Sequence, residues 1–155
     1  MWAPPGRGLC SRNLWAPELH RIGDQFHIYF AADDGKNANH RMWVLSATTN
    51  DPAGKYELAG SLDTQGWAID GTVLTDMFGN ATFVWSGWPT GRNGSQNLYM
   101  ARMKSPLELD GPRILLAQPD QPWERRGLPI CEGPQILQRA GRTFIVYSAS
   151  GSWTQ

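Results

Sequence analysis

In QFHIYFAA (residues 25–32) apolar and aromatic side chains fill most positions. RMWVLSAT (41–48), ATFVWSGW (81–88), QNLYMARM (96–103) and TFIVYSAS (143–150) are patterned in the same way. Runs of this kind, bounded by Gly, Asn, Asp or Pro, predict β-strands. No window of 12 or more residues carries the spacing of an amphipathic helix. The runs also recur in order. ELHRIGDQFHIYFAA, DGTVLTDMFGNATFVWSG and EGPQILQRAGRTFIVYSAS each read as a strand, a glycine turn at Gly23, Gly79 or Gly141, and an aromatic strand. After the first two comes a second pair, RMWVLSAT with KYELAG and QNLYMARM with RILLAQ. Four short strands repeating over roughly 50–60 residues are the blade pattern of a β-propeller. A β-sandwich predicts short strands without that period. The expected fold class is all-β, a partial β-propeller with about two and a half blades of four-stranded antiparallel sheet. It forms one domain over residues 1–155. Propellers close with about 4–8 blades, so N- and C-terminal blades are expected outside these residues.

Composition narrows the function classes. Fourteen Lys and Arg balance 14 Asp and Glu, so no net charge favours nucleic acid or an anionic membrane surface. No apolar run reaches the roughly 18 residues of a membrane span. Cys10 and Cys131 are too few for a disulfide framework, although a single bridge between them stays open. Eight tryptophans are many for this length, and each can fill a core or stack on a ligand. Asn80-Ala81-Thr82 and Asn93-Gly94-Ser95 are glycosylation sequons in turn-like stretches. They are either chance matches or signs of secretion. The segment MWAPPGRGLCSRN has no apolar signal-peptide core, so a secreted protein would carry its signal outside this chain.

Two carboxylates stand at the head of apolar runs, Asp70 in WAID and Glu132 in CEGPQ. Burying an unpaired charge is costly. In a propeller the first strand of each blade lines the central channel, so two neighbouring first strands would aim both carboxylates into one cavity. Paired carboxylates across a sugar-sized gap perform glycoside hydrolysis. Two structural readings compete. Asp70-Gly71 could form a hairpin turn, although FGN (78–80) is better placed for one. Glu132 could be satisfied by backbone amides near Gly133-Pro134. Glu18 opens the first unit in the same register and reads as a structural or pocket-wall residue. His20, His27 and His40 lack metal-ligand spacing. His27 alternates within a strand and is expected at the surface, whereas His40, just before a strand, is a candidate to reach a pocket. No nucleophile motif or phosphate-binding loop appears, and GRNGS (91–95) lacks the strand-to-helix context of one.

NLWAPELH (13–20), WAIDGTV (67–73), FVWSGW (83–88), QNLYMARM (96–103) and EGPQIL (132–137), in this order and spacing, resemble glycoside hydrolase family 43. The likeness runs from about Arg12 to the C-terminus and is greatest to the extracellular exo-α-1,5-arabinofuranosidases. The resemblance implies a five-bladed propeller that hydrolyses arabinose- or xylose-containing polysaccharides with inversion, using three acidic residues. Plant cell-wall arabinan, arabinoxylan and their oligosaccharides are the implied substrates. By motif, Glu132 corresponds to the general acid and Asp70 to the residue that tunes and orients it. Trp15 corresponds to a substrate-stacking aromatic. Trp88 and His40 are further candidates to contact sugar, with Trp88 equally suited to core packing. Trp43, Trp85, Trp123 and Trp153 are assigned to core or blade packing. The general-base Asp has no counterpart. It is expected upstream of WAPELH, where residues 1–14 contain no Asp, and Asp24, Asp33 and Asp34 come later, in expected turns. The chemistry requires no cofactor, and the ligands of any structural calcium or sodium ion cannot be read from these residues. A propeller that binds sugars without cleaving them is the alternative, and an interaction scaffold of the kelch or WD40 kind gives no reason for EGPQ.

Overall fold

The computed structural model describes residues 2–151. Ten strands form in chain order: β1 (Arg12–Ile22), β2 (Gln25–Asp33), β3 (Arg41–Ala47), β4 (Tyr56–Leu62), β5 (Ala68–Thr75), β6 (Ala81–Gly87), β7 (Asn97–Ser105), β8 (Glu108–Ala117), β9 (Cys131–Arg139) and β10 (Arg142–Ala149). Every run predicted from the pattern is a strand. They make two four-stranded antiparallel sheets, β1-β2-β3-β4 and β5-β6-β7-β8, and a two-stranded sheet of β9 and β10. The only helical elements among the described residues are short 3₁₀ turns at Asn37–Asn39 and Pro122–Arg125. Strand β5 packs against β1 and β2 on one side and β9 on the other. Thus β1, β5 and β9 are the inner strands of three successive blades.

Each inner strand is interrupted at the same place. In β1, Trp15 pairs with Ala31 and Glu18 with Tyr29, so two residues oppose Phe30 alone. In β5, Ile69 pairs with Ser86 and Thr72 with Val84, leaving two residues opposite Trp85. In β9, Glu132 pairs with Ser148 and Gln135 with Val146, leaving two opposite Tyr147. Two residues against one is a β-bulge, and a left-handed first residue is its G1 form. Ala16 (φ 43°), Asp70 (φ 54°) and Gly133 (φ 60°) hold that position. The second bulged residue is Pro17, Gly71 or Pro134. Proline is tolerated there because the bulged residue is left out of the hydrogen-bond ladder. This alignment corrects the sequence reading of the acidic residues. Glu18, Asp70 and Glu132 do not share a register: Glu132 precedes its bulge, Asp70 opens one, and Glu18 follows one.

The main core lies between the first two sheets. Tyr29, Met42, Val44 and Leu62 meet Ile69, Val73, Phe83 and Trp85 there. His27 lies two residues before Tyr29 and turns inward with it. It is buried, with Nδ1 2.9 Å from Ser46 Oγ and no partner for Nε2. The expectation of a surface His27 is therefore wrong: its face of β2 is covered, so alternation does not bring it to water. Burial lowers its pKa. Cys10 and Cys131 are both buried and unpaired, which closes the option of a bridge. Asn80 and Asn93 are both exposed in connections between strands. Trp85 is fully buried and Trp43 partly so. Trp123, expected to pack, is 52% exposed and only stacks on Tyr147 at 6.3 Å. Trp153 lies outside the described residues.

Gly71 fits because it has no side chain. A Cβ there would stand 2.1 Å from Phe83 Cζ and 2.8 Å from Met42 Cε. Gly71→Ala must therefore push the Phe83 ring out of the core or deform the bulge. Overpacking of this kind costs roughly 1–3 kcal/mol, measurable by urea denaturation. An unchanged midpoint would show that the bulge yields freely.

Candidate functional site

Asp70 owes its direction to the bulge. From the left-handed position on β5 its Oδ2 accepts a hydrogen bond of 3.0 Å from the Gly133 N–H on β9. Gly133 directly follows Glu132, so this bond ties Asp70 to the backbone beside Glu132 across neighbouring inner strands. Both are partly exposed. Burial raises the pKa of Asp70. The Gly133 N–H opposes the rise, the Glu18 charge adds to it, and His40 opposes it. Burial also raises the pKa of Glu132, and the Asp70 charge raises it further. A carboxyl that holds its proton beside an ionised neighbour is equipped as a general acid.

The segment bearing Glu132 is fixed from both directions. Cys131 N–H donates to Gln96 O at 3.0 Å, and Ser86 Oγ donates to Cys131 O at 2.8 Å. From the other side, buried Glu124 accepts from Gln121 N–H at 2.6 Å and from the Tyr147 hydroxyl at 2.7 Å. Tyr147 is the residue opposite the β9 bulge.

Trp15 precedes the first bulge and is 41% exposed. Its ring stacks on His40 at 4.1 Å with 27° between planes. His40 itself is fully buried. Its Nδ1 stands 3.0 Å from Asp33 Oδ2 and its Nε2 3.1 Å from Asn13 O. The expectation that His40 reaches a ligand is thereby corrected: both ring nitrogens are engaged, and the ring forms the floor beneath Trp15. Trp88, left open between sugar contact and core packing, has the burial of core packing. It is 5% exposed, and one face is covered by Trp67 at 4.6 Å and 8°. Of the three proposed sugar contacts, Trp15 keeps an open face.

The structure adds a cluster that sequence reasoning missed. Glu18, Thr72 and Gln135 occupy the position just after the bulge in β1, β5 and β9. The Glu18 carboxylate accepts a hydrogen bond from the Gln135 amide and has His20 Nε2 3.0 Å away, and that nitrogen accepts from the Val73 N–H at 3.3 Å. Burial pushes Glu18 upward, but His20, Thr72 and Gln135 outweigh it and hold the carboxyl below its ordinary range. The signal was present in the tripeptides Ala16-Pro17-Glu18, Asp70-Gly71-Thr72 and Gly133-Pro134-Gln135, which align on the bulge. The later aspartates are engaged elsewhere. Asp33 is not in a turn but ends β2, buried against Asn13, Gly35 N–H and His40. Asp34 accepts from Asn39, and Asp24 lies exposed beside Arg21. Among the described residues no group of three or more His, Cys, Asp or Glu could hold a metal ion.

Comparison with known proteins gives a consistent result. The family model for Glycosyl hydrolases family 43 matches residues 3–155. The chain is 35% identical over 156 residues to an extracellular exo-alpha-(1->5)-L-arabinofuranosidase of Streptomyces chartreusis, covering 98% of this chain and 47% of that protein. It is 33% identical to alpha-L-arabinofuranosidase 43 of Humicola insolens, covering 98% of this chain and 32% of that one. A crystal structure of an alpha-L-arabinofuranosidase from Lactobacillus brevis superposes with a TM-score of 0.86 at 34% identity, over 96% of this chain and 49% of its own. The chain therefore spans half or less of the length of these relatives, as a partial propeller.

The Asp70 charge carries a stability consequence. Its pKa is raised on folding, so the folded form binds the proton more tightly than the unfolded form. Stability is then fully present below the ordinary Asp range and falls as pH rises through the folded value. Asp70→Asn tolerates the left-handed backbone and removes the charge. The variant should melt higher than the parent at pH 7, with the gain shrinking toward about pH 4. A gain independent of pH would assign the effect to something other than the carboxylate.

Proposed function

The chain belongs to glycosyl hydrolases family 43, and on that premise we propose that it carries the acid side of an inverting glycosidase. The bond it attacks joins α-L-arabinofuranosyl residues to plant cell-wall arabinan, arabinoxylan or their oligosaccharides. The observation that carries this reading is the Gly133 N–H to Asp70 hydrogen bond of 3.0 Å. It joins Asp70 to the backbone beside Glu132, whose pKa is raised by burial and by Asp70.

In this reading Glu132 gives its proton to the leaving oxygen as the glycosidic bond breaks. Asp70 keeps that proton in place and orients the carboxyl. Trp15 stacks on a pentose ring through its open face. A general base across the sugar, about 6.5–9.5 Å from the acid, activates the attacking water. That base is supplied from outside residues 1–155, since Asp24, Asp33 and Asp34 are engaged away from the pair. The chemistry calls only for carboxylates and water. A polymeric substrate outside the cell and the extracellular relative support a secreted protein.

The deciding experiment compares two substrates in the full-length protein. Glu132→Gln should lower turnover of arabino-oligosaccharides by roughly 10²–10⁴-fold. An aryl arabinofuranoside with a good leaving group needs less protonation and should lose far less. Equal loss on both substrates would refute the acid role. Residues 1–155 expressed alone should release no arabinose, whereas a chain extended upstream to include the base should do so, with the inverted product anomer seen by NMR. Comparable turnover by the short chain would place the base within it.

A further inference from the structure

Three strand positions made equivalent by the bulges converge on one carboxylate. We propose that Glu18 is a positioning residue for the glycosidase reaction, clasping the three inner strands at the propeller axis and thereby fixing Asp70 against Glu132. The proposal rests on the glycosidase reading above. Its geometric basis is the hydrogen bond that Glu18 on β1 accepts from the Gln135 amide on β9, together with His20, which stands 3.0 Å from Glu18 and accepts at Nε2 from the Val73 N–H of β5 at 3.3 Å.

A carboxylate suits this task. It offers acceptor sites on two oxygens and no donor, so one group can take the Gln135 amide of β9 and still face His20 at 3.0 Å and Thr72 of β5. Thr72 and Gln135 each stand close in sequence to a reactive residue. Thr72 follows Asp70 by one bulged residue, and Gln135 follows Glu132 across the Gly133-Pro134 bulge. Side chains on a bulged strand swing with the bulge, and the clasp bears directly on the residue that ends it. A slip of the inner strands past one another would pull Gly133 N–H from Asp70, and a 1 Å displacement of a catalytic group can cost about 10²-fold in rate.

Glu18 also acts on Asp70 through its charge, which raises the Asp70 pKa. The other groups facing Asp70 are His40 from just before β3, and Glu132 with the Gly133 N–H from β9. Those facing Glu18 are His20 on its own strand, Thr72, Gln135 and Asp70. Both contacts of Glu18 therefore lead to the same pair.

The test uses two variants of the full-length protein. Glu18→Ala removes both clasp and charge, while Glu18→Gln keeps the size and one acceptor. Glu18→Ala should lower kcat on arabino-oligosaccharides by about 10²-fold with a much smaller change in KM. Glu18→Gln should retain more of kcat and move the Asp70 carboxyl titration, followed by 13C NMR, to lower pH, because a negative neighbour is gone. A purely structural Glu18 predicts lower melting temperatures in both variants, with kcat and the Asp70 titration as in the parent, and that result would overturn the proposal. If Glu18→Ala does not fold, the Glu18→Gln titration decides. If the parent itself does not cleave arabinofuranosides, the glycosidase reading fails. The Gly133 amide signal then decides separately: a move in Glu18→Ala, from a loosened bond to Asp70, upholds the clasp and an unmoved signal overturns it.

Discussion

The β-bulge in β1, β5 and β9 is the constraint on which the site depends. Strand side chains alternate with a period of two, so one extra residue transfers every later side chain to the opposite face. In β5 the bulge lets Ile69 pair with Ser86 and Thr72 with Val84, so the two share a face although they stand three residues apart, while Asp70 between them reaches Gly133 on the next blade. In a regular strand Ile69 and Thr72 would lie on opposite faces. The left-handed residue has a backbone cost of roughly 1–2 kcal/mol when it is not glycine. Gly133 avoids that cost; Ala16 and Asp70 bear it. At Asp70 the strained conformation coincides with the carboxyl bonded to the backbone next to the candidate acid, a common location for retained strain.

The same geometry sets the electrostatics. Glu18, Asp70 and Glu132 lie within one another's influence, yet they divide into opposite behaviours. Glu18 is held by His20, Thr72 and Gln135 and lies low. Asp70 is more deeply buried and Glu132, no more buried than Glu18, has no donor to offset its burial, and both lie high. Carboxylates of the same chemistry are thus separated by their donors, the condition under which one remains charged while a neighbour keeps its proton. Asp70 is pulled both ways, since Gly133 and His40 favour its charge while burial and Glu18 oppose it.

The strand pattern was legible because blade strands are apolar, short and punctuated, and the unit repeats. The bulges were not, because positive φ at Ala16 and Asp70 has no glycine to announce it, and because acidic residues that look alike in sequence fall at different offsets. Counting from Glu18, Asp70 and Glu132 therefore aligned the blades wrongly, although it drew attention to two residues on neighbouring inner strands, one bonded to the backbone beside the other. The histidines and tryptophans failed for another reason. His27 reads as an alternating outward residue only if one face of its strand meets water, and blade packing covers that face. His40 and Trp88 stand beside candidate residues in sequence, but their rings are used as supports, for Trp15 and Trp67 respectively. Trp123 shows the reverse: a large aromatic on a short 3₁₀ turn finds one stacking partner and no enclosing layer.

The two joints between blades differ in kind, and the difference bears on function. The first and second sheets meet through an apolar core of Tyr29, Met42, Phe83 and Trp85. Apolar contacts are strong in sum but weakly directional, so they fix the distance between blades better than their register. The joint that carries Glu132 is tied by hydrogen bonds: Ser86 to Cys131 O, Cys131 N–H to Gln96 O, Gln96 N–H to Pro129 O, and Gly133 N–H to Asp70. Hydrogen bonds weaken steeply with misalignment, so this joint resists sliding along the strand. A proton donor needs its oxygen fixed along the strand as well as across it. The joint tied by backbone hydrogen bonds is the one that carries Asp70 and Glu132, while the mainly apolar joint is pinned at three points, by Trp67 Nε1–H to Asn37 O, the Tyr29 hydroxyl to Pro106 O, and Val73 N–H to His20 Nε2 beside Glu18. Packing thus holds the blades together, while a small set of oriented donors determines the register in which the carboxylates meet.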